Sequence, residues 1–223
     1  MLLARSWEDL EKVRSACKNP DQHLVVAGDL TDFIVLEKII KEASSFFDGE
    51  VDAVLHTVGG GLGLRSALLT APDFMRLFTL NLLVASEINR LLIPAMKARG
   101  RGNLVHVGSI ASSEGVGSVG YNTVKAGLAA YVRTLGKELA SSRIVVTGIL
   151  PGAFFAPGNA MDRLKADKSE VHEQFVREKL PRGFMANGQE LLPFLMLLCS
   201  DDASMMGGCL VPIDAGEGRA YSA

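Results

Sequence analysis

The sequence has few cysteines, little net charge and no long apolar run. Its three cysteines, Cys17, Cys199 and Cys209, lie far apart without metal-ligand spacing, so we expect reduced, buried thiols in a cytoplasmic protein and no metal site. A formal net charge of −2 provides no basic surface for nucleic acid, and no block of Lys or Arg indicates a membrane surface. Neither nucleic acid nor a membrane is therefore an expected partner.

Apolar segments are also short. The longest, Leu191 to Leu198, is interrupted by a proline, whereas a helix that spans a bilayer needs about 20 apolar residues. The start, M-L-L-A-R-S-W, meets a charge too soon for a secretory signal, so none is expected. With 48% hydrophobic and 22% charged residues over 223 positions, the composition is typical of a soluble globular domain with a sizeable core.

Gly115, Gly117 and Gly120 spell G-x-G-x-x-G within E-G-V-G-S-V-G-Y, the pattern of a dinucleotide-binding turn. Such a turn follows directly on a strand, and an acidic residue ends the next strand. Here the preceding predicted strand ends several residues too early, and the following one runs into Pro151 and Gly152 without a carboxylate. We therefore interpret these glycines as a loop with another role.

Apolar runs rich in β-branched residues alternate with segments of helical period, which predicts an α/β fold with a parallel sheet between two layers of helices. The predicted strands are His23–Ala27, Val51–Val58, Asn103–Gly108, Arg143–Leu150 and Cys209–Ile213. The predicted helices are Trp7–Cys17, Asp32–Phe47, Ala71–Arg99, Tyr121–Ser141, Asp162–Lys179 and Gln189–Cys199, with Ser6 and Asp32 at helix starts and Gly100 at a helix stop. Ligands in such sheets bind at the carboxyl ends of the strands.

Tyr121 and Lys125 are four residues apart at the start of a predicted helix, so their side chains share one face. A nearby ammonium group stabilises a phenolate and would lower the pKa of the tyrosine into a useful range for acid–base chemistry. Ser109, just past the preceding strand, could hold a substrate oxygen beside the phenol. Each residue alone also has an ordinary structural interpretation, as a helix surface pair or a turn serine.

The order of several motifs strengthens the catalytic interpretation. The sequence resembles the short-chain dehydrogenase/reductase superfamily from Leu2 to Gly216. The matching segments are L-L-A-R-S, G-D-L-T-D, H-T-V-G-G, T-L-N-L-L, V-G-S-I-A-S, Y-N-T-V-K, I-L-P-G and the closing stretch L-C-S-D-D-A-S-M-M-G-G-C-L-V-P-I-D-A-G. The resemblance implies a Rossmann-like, doubly wound parallel sheet forming one domain over 1–223.

The resemblance implies roles for four residues. Tyr121 would exchange a proton with the substrate oxygen, Ser109 would polarise the carbonyl, Lys125 would lower the pKa of Tyr121 and bond the nicotinamide ribose, and Asn81 would hold a relay water. Ser112 is a weaker alternative to Ser109, because one residue fewer than usual separates Ser109 from Tyr121. Hydride would come from the cofactor, so no metal is required.

The resemblance also implies a cofactor site. Arg5, directly after a strand, favours NADP(H) because it could pair with a 2′-phosphate, with NAD as the other possibility; a solvated helix-start arginine is its structural alternative. Further contacts would come from Asp29 and Leu30 at the adenine, from Val58 and Gly59, and from Pro151 and Gly152 beside the nicotinamide. Two positions depart from the family: His56-Thr57-Val58 replaces Asn-Asn-Ala, with His56 expected to be structural, and Ala156 stands where a threonine is usual.

The family's first strand, glycine-rich turn and first helix have no counterpart before Leu2. That strand lies in the middle of the sheet, so its absence would leave two unpaired ladders. Three explanations are open: a shortened start, a partner that supplies the strand, or a rearranged sheet.

A substrate-covering segment is expected over 153–186, where apolar residues give a hint of an apolar substrate, and the resemblance implies a homodimer or homotetramer. Two functions follow: an NADP(H)-dependent oxidoreductase acting on a carbonyl or secondary alcohol, or a non-catalytic remnant that acts as a scaffold or regulatory partner.

Overall fold

A computed structural model of the chain describes residues 1–220 and contains eight helices and eight strands in that range. The strands are β1 (Leu2–Ala4), β2 (Val25–Ala27), β3 (Ala53–His56), β4 (Gly102–Val107), β5 (Ile144–Pro151), β6 (Phe154–Phe155), β7 (Ala186–Asn187) and β8 (Leu210–Ile213). The helices are α1 (Trp7–Ala16), α2 (Phe33–Phe46), α3 (Ala71–Phe78), α4 (Val84–Arg99), α5 (Val119–Leu139), α6 (Ala160–Asp167), α7 (Ser169–Lys179) and α8 (Leu192–Leu198). All strand pairs are parallel, as predicted.

The main sheet has the order β3-β4-β5-β8, and helices cover both of its faces. Leu104 and Val105 follow each other on β4, so their side chains point to opposite faces. Leu104 packs in a cluster with residues of α2, α4 and α5, whereas Val105 packs with Leu195 and Leu198 of α8. This confirms the α/β, Rossmann-like, three-layer architecture.

The sheet is broken between β1 and β3. β1 pairs only with β2, and β3 pairs only with β4, although Leu3 of β1 and Val54 of β3 pack against the same core cluster. Ala53 and Leu55 on the other face of β3 are exposed, Leu55 by 41%. Within residues 1–220 the chain therefore does not form the rearranged, closed sheet, and the two unpaired edges predicted from the resemblance are present.

Local signals place most helix ends. Ser6 and Asp32 cap α1 and α2 by accepting hydrogen bonds from backbone N–H groups, and Gly100 ends α4 in the left-handed conformation at φ 66°. The left-handed conformation costs glycine little free energy because glycine has no Cβ that would clash with the backbone.

Three predicted helices are divided in the structure. The segment Ala71–Arg99 contains a π-helical turn, Thr79–Leu83, between α3 and α4. A break at Lys168, where φ is −147°, separates α6 from α7, and only Leu192–Leu198 of the last predicted helix is α-helical, after a 3-10 turn. Several predicted strands extend one or two residues beyond an observed end, as at His23 before β2 and Val58 after β3, where the chain lies outside the paired register.

Ala71–Arg99 is the one segment among the described residues that is long and apolar enough to cross a membrane by length and composition. Its apolar side chains Val84, Ile88 and Leu92 lie in the cluster beneath the sheet. Their burial in the protein core accounts for the apolar composition of this segment, because a helix covered by the sheet and by neighbouring helices is apolar on its buried side.

Candidate active site

The predicted catalytic residues meet at the carboxyl ends of β3 and β4. Ser109 follows β4, Tyr121 and Lys125 lie in the first turns of α5, and Asn81 lies in the π-helical turn. The glycine loop, residues 113–118, connects a 3-10 turn at Ile110–Ser112 to α5 and does not follow directly on a strand. Gly120 is buried in α5, where a Cβ would lie 2.4 Å from Leu69 and 2.5 Å from Leu77. The glycines therefore allow close packing and a tight return of the chain.

Ser109 and Tyr121 face each other. Burial raises the pKa of Tyr121, and the neighbouring Ser109 side chain opposes that rise. The Ser109 Oγ also accepts a hydrogen bond from the Ala111 N–H at 3.1 Å, which fixes the hydroxyl at the start of the 3-10 turn. Of the two candidate serines, Ser109 is therefore the one that interacts with the phenol, and Ser112 is not needed.

Lys125 is 4% exposed, and its Nζ donates to the Val107 carbonyl at 3.0 Å. The ammonium lies 5.7 Å from the centre of the Tyr121 ring. Burial lowers the pKa of Lys125 from 10.5 to about 8. The predicted lowering of the Tyr121 pKa by Lys125 is not seen, because the ammonium bonds a backbone carbonyl rather than the phenol.

Asn81 is 2% exposed and braces the loop after β3. Its Oδ1 accepts from the Gly60 N–H at 2.9 Å, and its Nδ2 donates to the Gly60 and Leu77 carbonyls, each at 3.0 Å. A Cβ on Gly59 would lie 2.8 Å from Asn81 Oδ1 and 3.3 Å from Lys125 Nζ. Glycine is therefore required where this loop passes over the lysine, and both Asn81 side-chain N–H directions serve the backbone.

The predicted cofactor residues lie along the same edge of the strands. Arg5 follows β1 and Asp29 follows β2; with Ala4 and Ser6, Arg5 borders an open cavity of about 490 Å³. Hydrogen bonds from Thr31 and, more weakly, the charge of Arg5 keep the pKa of Asp29 below its ordinary value. Leu30 is 6% exposed and packs in the core, so its side chain is not available to a nucleotide.

Two hydrogen-bonding contacts between carboxylates and the backbone near the site were not predicted from the sequence. The Glu217 carboxylate accepts from the Ala153 N–H, directly after Pro151 and Gly152, and burial raises the pKa of Glu217. The Glu114 carboxylate accepts from the Arg219 and Ala220 N–H groups at 2.7 and 2.9 Å. The C-terminal segment thereby joins the glycine loop to the loop after β5, across more than 60 residues of sequence in each case.

The cysteines do not follow the prediction of burial. Cys17 and Cys199 are half-buried and Cys209 is exposed; all three are free. No group of three potential metal ligands occurs among residues 1–220.

Comparison with known proteins identifies the family. The family model for short chain dehydrogenases matches residues 1–167. A tropinone reductase homolog of Arabidopsis thaliana is 31% identical over 184 residues, which cover 81% of this chain and 68% of that protein. Another of these homologs matches over 66% of its own length, so the chain spans about two thirds of such relatives.

Solved structures show the same relationship. A crystal structure of levodione reductase, 25% identical, superposes with a TM-score of 0.88 over 99% of this chain and 88% of that chain. L-sorbose reductase from Gluconobacter frateurii, solved with NADPH and L-sorbose, superposes with a TM-score of 0.88 over 99% of this chain and 87% of its own at 24% identity, which supports the fold alone. With the family model covering most of its length, the chain belongs to the short-chain dehydrogenase family.

Proposed function

We propose that this protein is an NADP(H)-dependent oxidoreductase that interconverts a carbonyl group and a secondary alcohol. The observation that carries the proposal is the convergence of Ser109, Tyr121 and Lys125 at one edge of the sheet, with the serine near enough to the phenol to influence its pKa. The family contains reductases and dehydrogenases, and one superposed structure holds NADPH. The substrate would be a small molecule.

The residues present fit the nicotinamide end of a cofactor. Gly59 leaves space beside Lys125 that a Cβ would fill, and Pro151 and Gly152 lie at the end of β5. Lys125 and Tyr121 would bond the ribose, Val58, Gly59, Pro151 and Gly152 would line the ring, and Arg5, Asp29 and the Leu30 backbone would hold the adenosine end. Arg5, exposed at the open cavity, favours a 2′-phosphate and hence NADP(H) over NAD. When bound, the cofactor supplies or accepts the hydride.

The protein's own side chains handle the proton. Ser109 donates a hydrogen bond to the substrate oxygen and polarises it, while Tyr121 gives a proton to that oxygen in reduction and removes it in oxidation. Lys125 has to move from Val107 toward the phenol to stabilise the phenolate, since burial alone raises the Tyr121 pKa. A carbonyl, a hydride and one proton then balance to an alcohol.

The test is the Tyr121→Phe variant, which removes only the hydroxyl. We expect carbonyl reduction with NADPH to fall by at least about 100-fold, because general acid catalysis is worth about that much, while NADPH affinity, measured by fluorescence titration, stays the same. The Thr123→Val variant is the matched control, since it removes an exposed hydroxyl from the same helix, where that hydroxyl donates to the Val119 carbonyl outside the site. Equal turnover in Tyr121→Phe and wild type would reject the role of Tyr121.

A second candidate is a non-catalytic scaffold or regulatory partner. It is favoured by the break between β1 and β3, and by the absence, within residues 1–220, of a glycine-rich turn that leads directly from a strand into a helix and could hold a pyrophosphate. A flat NADPH fluorescence trace at high protein concentration would support this function over the first.

We further propose that residues 153–186 cover the substrate, that the domain extends over 1–223, and that the protein acts in the cytoplasm as a homodimer or homotetramer. Support for a cover comes from the β6–β7 pair, which closes the segment that contains α6 and α7. Support for an oligomer comes from the outer face of α8, where Leu192, Phe194, Met196 and Leu197 are exposed. Free thiols are consistent with a reducing compartment.

A further inference from the structure

A buried polar network lies directly beneath the candidate active site. His56 Nε2 is 2.8 Å from Asn89 Oδ1, while Asn89 Nδ2 lies 3.2 Å from His106 Nε2 and 3.1 Å from the Tyr131 hydroxyl. The two imidazoles are stacked with centres 4.6 Å apart. Asn89 and His106 are 0% exposed and His56 is 8% exposed, so these three side chains are closed to solvent, while Tyr131 is half-buried.

The hydrogen bonds determine where each proton lies. His106 Nδ1 is 3.1 Å from the Thr147 carbonyl, which can only accept, so Nδ1 carries the proton and the Nε2 of the neutral ring accepts from Asn89. The Asn89 Oδ1 must then accept from a protonated His56 Nε2, and its second N–H donates to Tyr131. Burial lowers the pKa of His56 to about 3 and that of His106 to about 4, so both rings stay neutral.

Each of the four elements that border the candidate site contributes one side chain to this network. His56 ends β3 just before Val58 and Gly59, and His106 precedes Val107, whose carbonyl holds Lys125. Asn89 belongs to α4, which continues from the π-helical turn of Asn81, and Tyr131 belongs to α5, which carries Tyr121 and Lys125. The Asn89 side chain of α4 hydrogen-bonds to side chains of the other three elements and is therefore the centre of the network.

We propose that Asn89 is a positioning residue: through His56, His106 and Tyr131 it fixes where the Val107 carbonyl and Gly59 meet the Lys125 ammonium. The proposal rests on the proposed function of Lys125. Loss of the Asn89 amide would leave the buried imidazole nitrogens of His56 and His106 and the half-buried Tyr131 hydroxyl without this partner. Unsatisfied polar groups of this kind are destabilising unless water enters or the strands shift. Either change would alter the surroundings of Lys125.

The test is an NMR titration of Lys125 in protein labelled with ¹³C-lysine, with the signal assigned by its loss in Lys125→Met. In Asn89→Ala we expect the Lys125 pKa to rise from about 8 by about one unit or more toward its ordinary value, because water admitted near the ammonium removes part of the desolvation. Tyr131→Phe, which removes a single bond and keeps the ring, should give a smaller rise.

Asn103→Ala is the matched control. Asn103 is also a buried asparagine of the same sheet, but its Nδ2 bonds the Leu198 and Ser200 carbonyls at the opposite end of β4. We expect Asn103→Ala to lower the Tm without moving the Lys125 pKa. An unchanged Lys125 pKa in Asn89→Ala and Tyr131→Phe overturns the proposal, and Tyr131→Phe decides alone if Asn89→Ala does not fold. Because the titration needs no turnover, an inactive protein that shows the shift rejects the proposed function but keeps the positioning role.

Discussion

Lys125 is the residue whose environment most affects the chemistry. Its ammonium is desolvated and donates to a single carbonyl, that of Val107, while the Tyr121 phenol lies beside Ser109. A buried lysine with one neutral partner pays a desolvation cost that a second partner would reduce. We therefore infer that the described state is one from which Lys125 can be drawn toward a phenolate or a ribose hydroxyl.

The two buried histidines are expected to make the free energy of unfolding decrease as the pH falls. The folded pKa values, about 3 for His56 and about 4 for His106, lie below the ordinary value of 6.5. As the pH falls below 6.5 the unfolded chain binds protons that the folded chain excludes, so the free energy of unfolding falls. Each ring contributes about 1.4 kcal/mol per pH unit over this window.

We predict that His106→Gln, which keeps a donor toward Thr147, loses less stability than wild type when urea unfolding is compared at pH 7 and pH 5. Other acidic groups titrate equally in both proteins, so the difference isolates one imidazole. If the free energy of unfolding changed equally with pH in the two proteins, the claim that folding excludes a proton from His106 would be wrong.

At the scale of the elements, the break in the sheet has a measurable consequence. β4 is paired on both sides by β3 and β5, whereas β1 and β3 each have one free edge. Unpaired backbone groups open to solvent more easily than paired ones. We predict that amides in 51–58 exchange with deuterium faster than those in 102–107 by about tenfold or more, as measured by mass spectrometry.

The edge strand β8 is the internal control for this experiment, since it too pairs on one side only. Exchange of β3 that is as slow as that of β4 would mean that the free edge is covered in solution. A covered edge would favour the explanation in which a partner supplies a strand.

The divided helices show how sequence and structure differ within elements. The helical period continues through Asn81, yet the chain forms a π-helical turn there, because the Asn81 amide is held by Gly60 and Leu77 carbonyls. The break at Lys168 similarly separates two short helices that have no fully buried residue. Helical period predicts the segments, but tertiary contacts set where the hydrogen-bond pattern changes.

At the scale of the whole molecule, α8 carries more exposed large apolar side chains than any other helix or strand of residues 1–220. Leu195 and Leu198 on its inner face are buried, while Met196 on its outer face is 70% exposed. If the proposed homo-oligomer forms here, Met196→Glu should shift the mass measured by light scattering toward the monomer, because a buried unpaired carboxylate is costly.

Val171→Glu on α7 places the same charge at another exposed apolar position, 50% exposed, and should leave the oligomer intact. A monomeric wild type, or an unchanged mass in Met196→Glu, would contradict the proposed interface. Equal Tm values in dilute Met196→Glu and Val171→Glu would show that neither change disturbs the fold of the subunit.

The sequence alone determined the features that depend on neighbouring residues. Apolar periods predicted the alternating strands and helices, Ser6 and Asp32 predicted helix starts, and the four-residue spacing placed Tyr121 and Lys125 on one face of α5. The gap between β1 and β3 within residues 1–220 was also expected from the resemblance. These features are local because hydrogen bonds within a helix, and side-chain direction along a strand, repeat over two to four residues.

Only the tertiary structure decided which distant groups meet. It placed the Lys125 ammonium on the Val107 carbonyl, brought Glu217 to Ala153, and closed the network of Asn89 with His56, His106 and Tyr131. These partners are 17 to 64 residues apart, and no periodicity in a single sequence relates such positions. Their contacts follow from the register of the strands and from packing of the helices on them, which is settled by burial of the whole core rather than by any one segment.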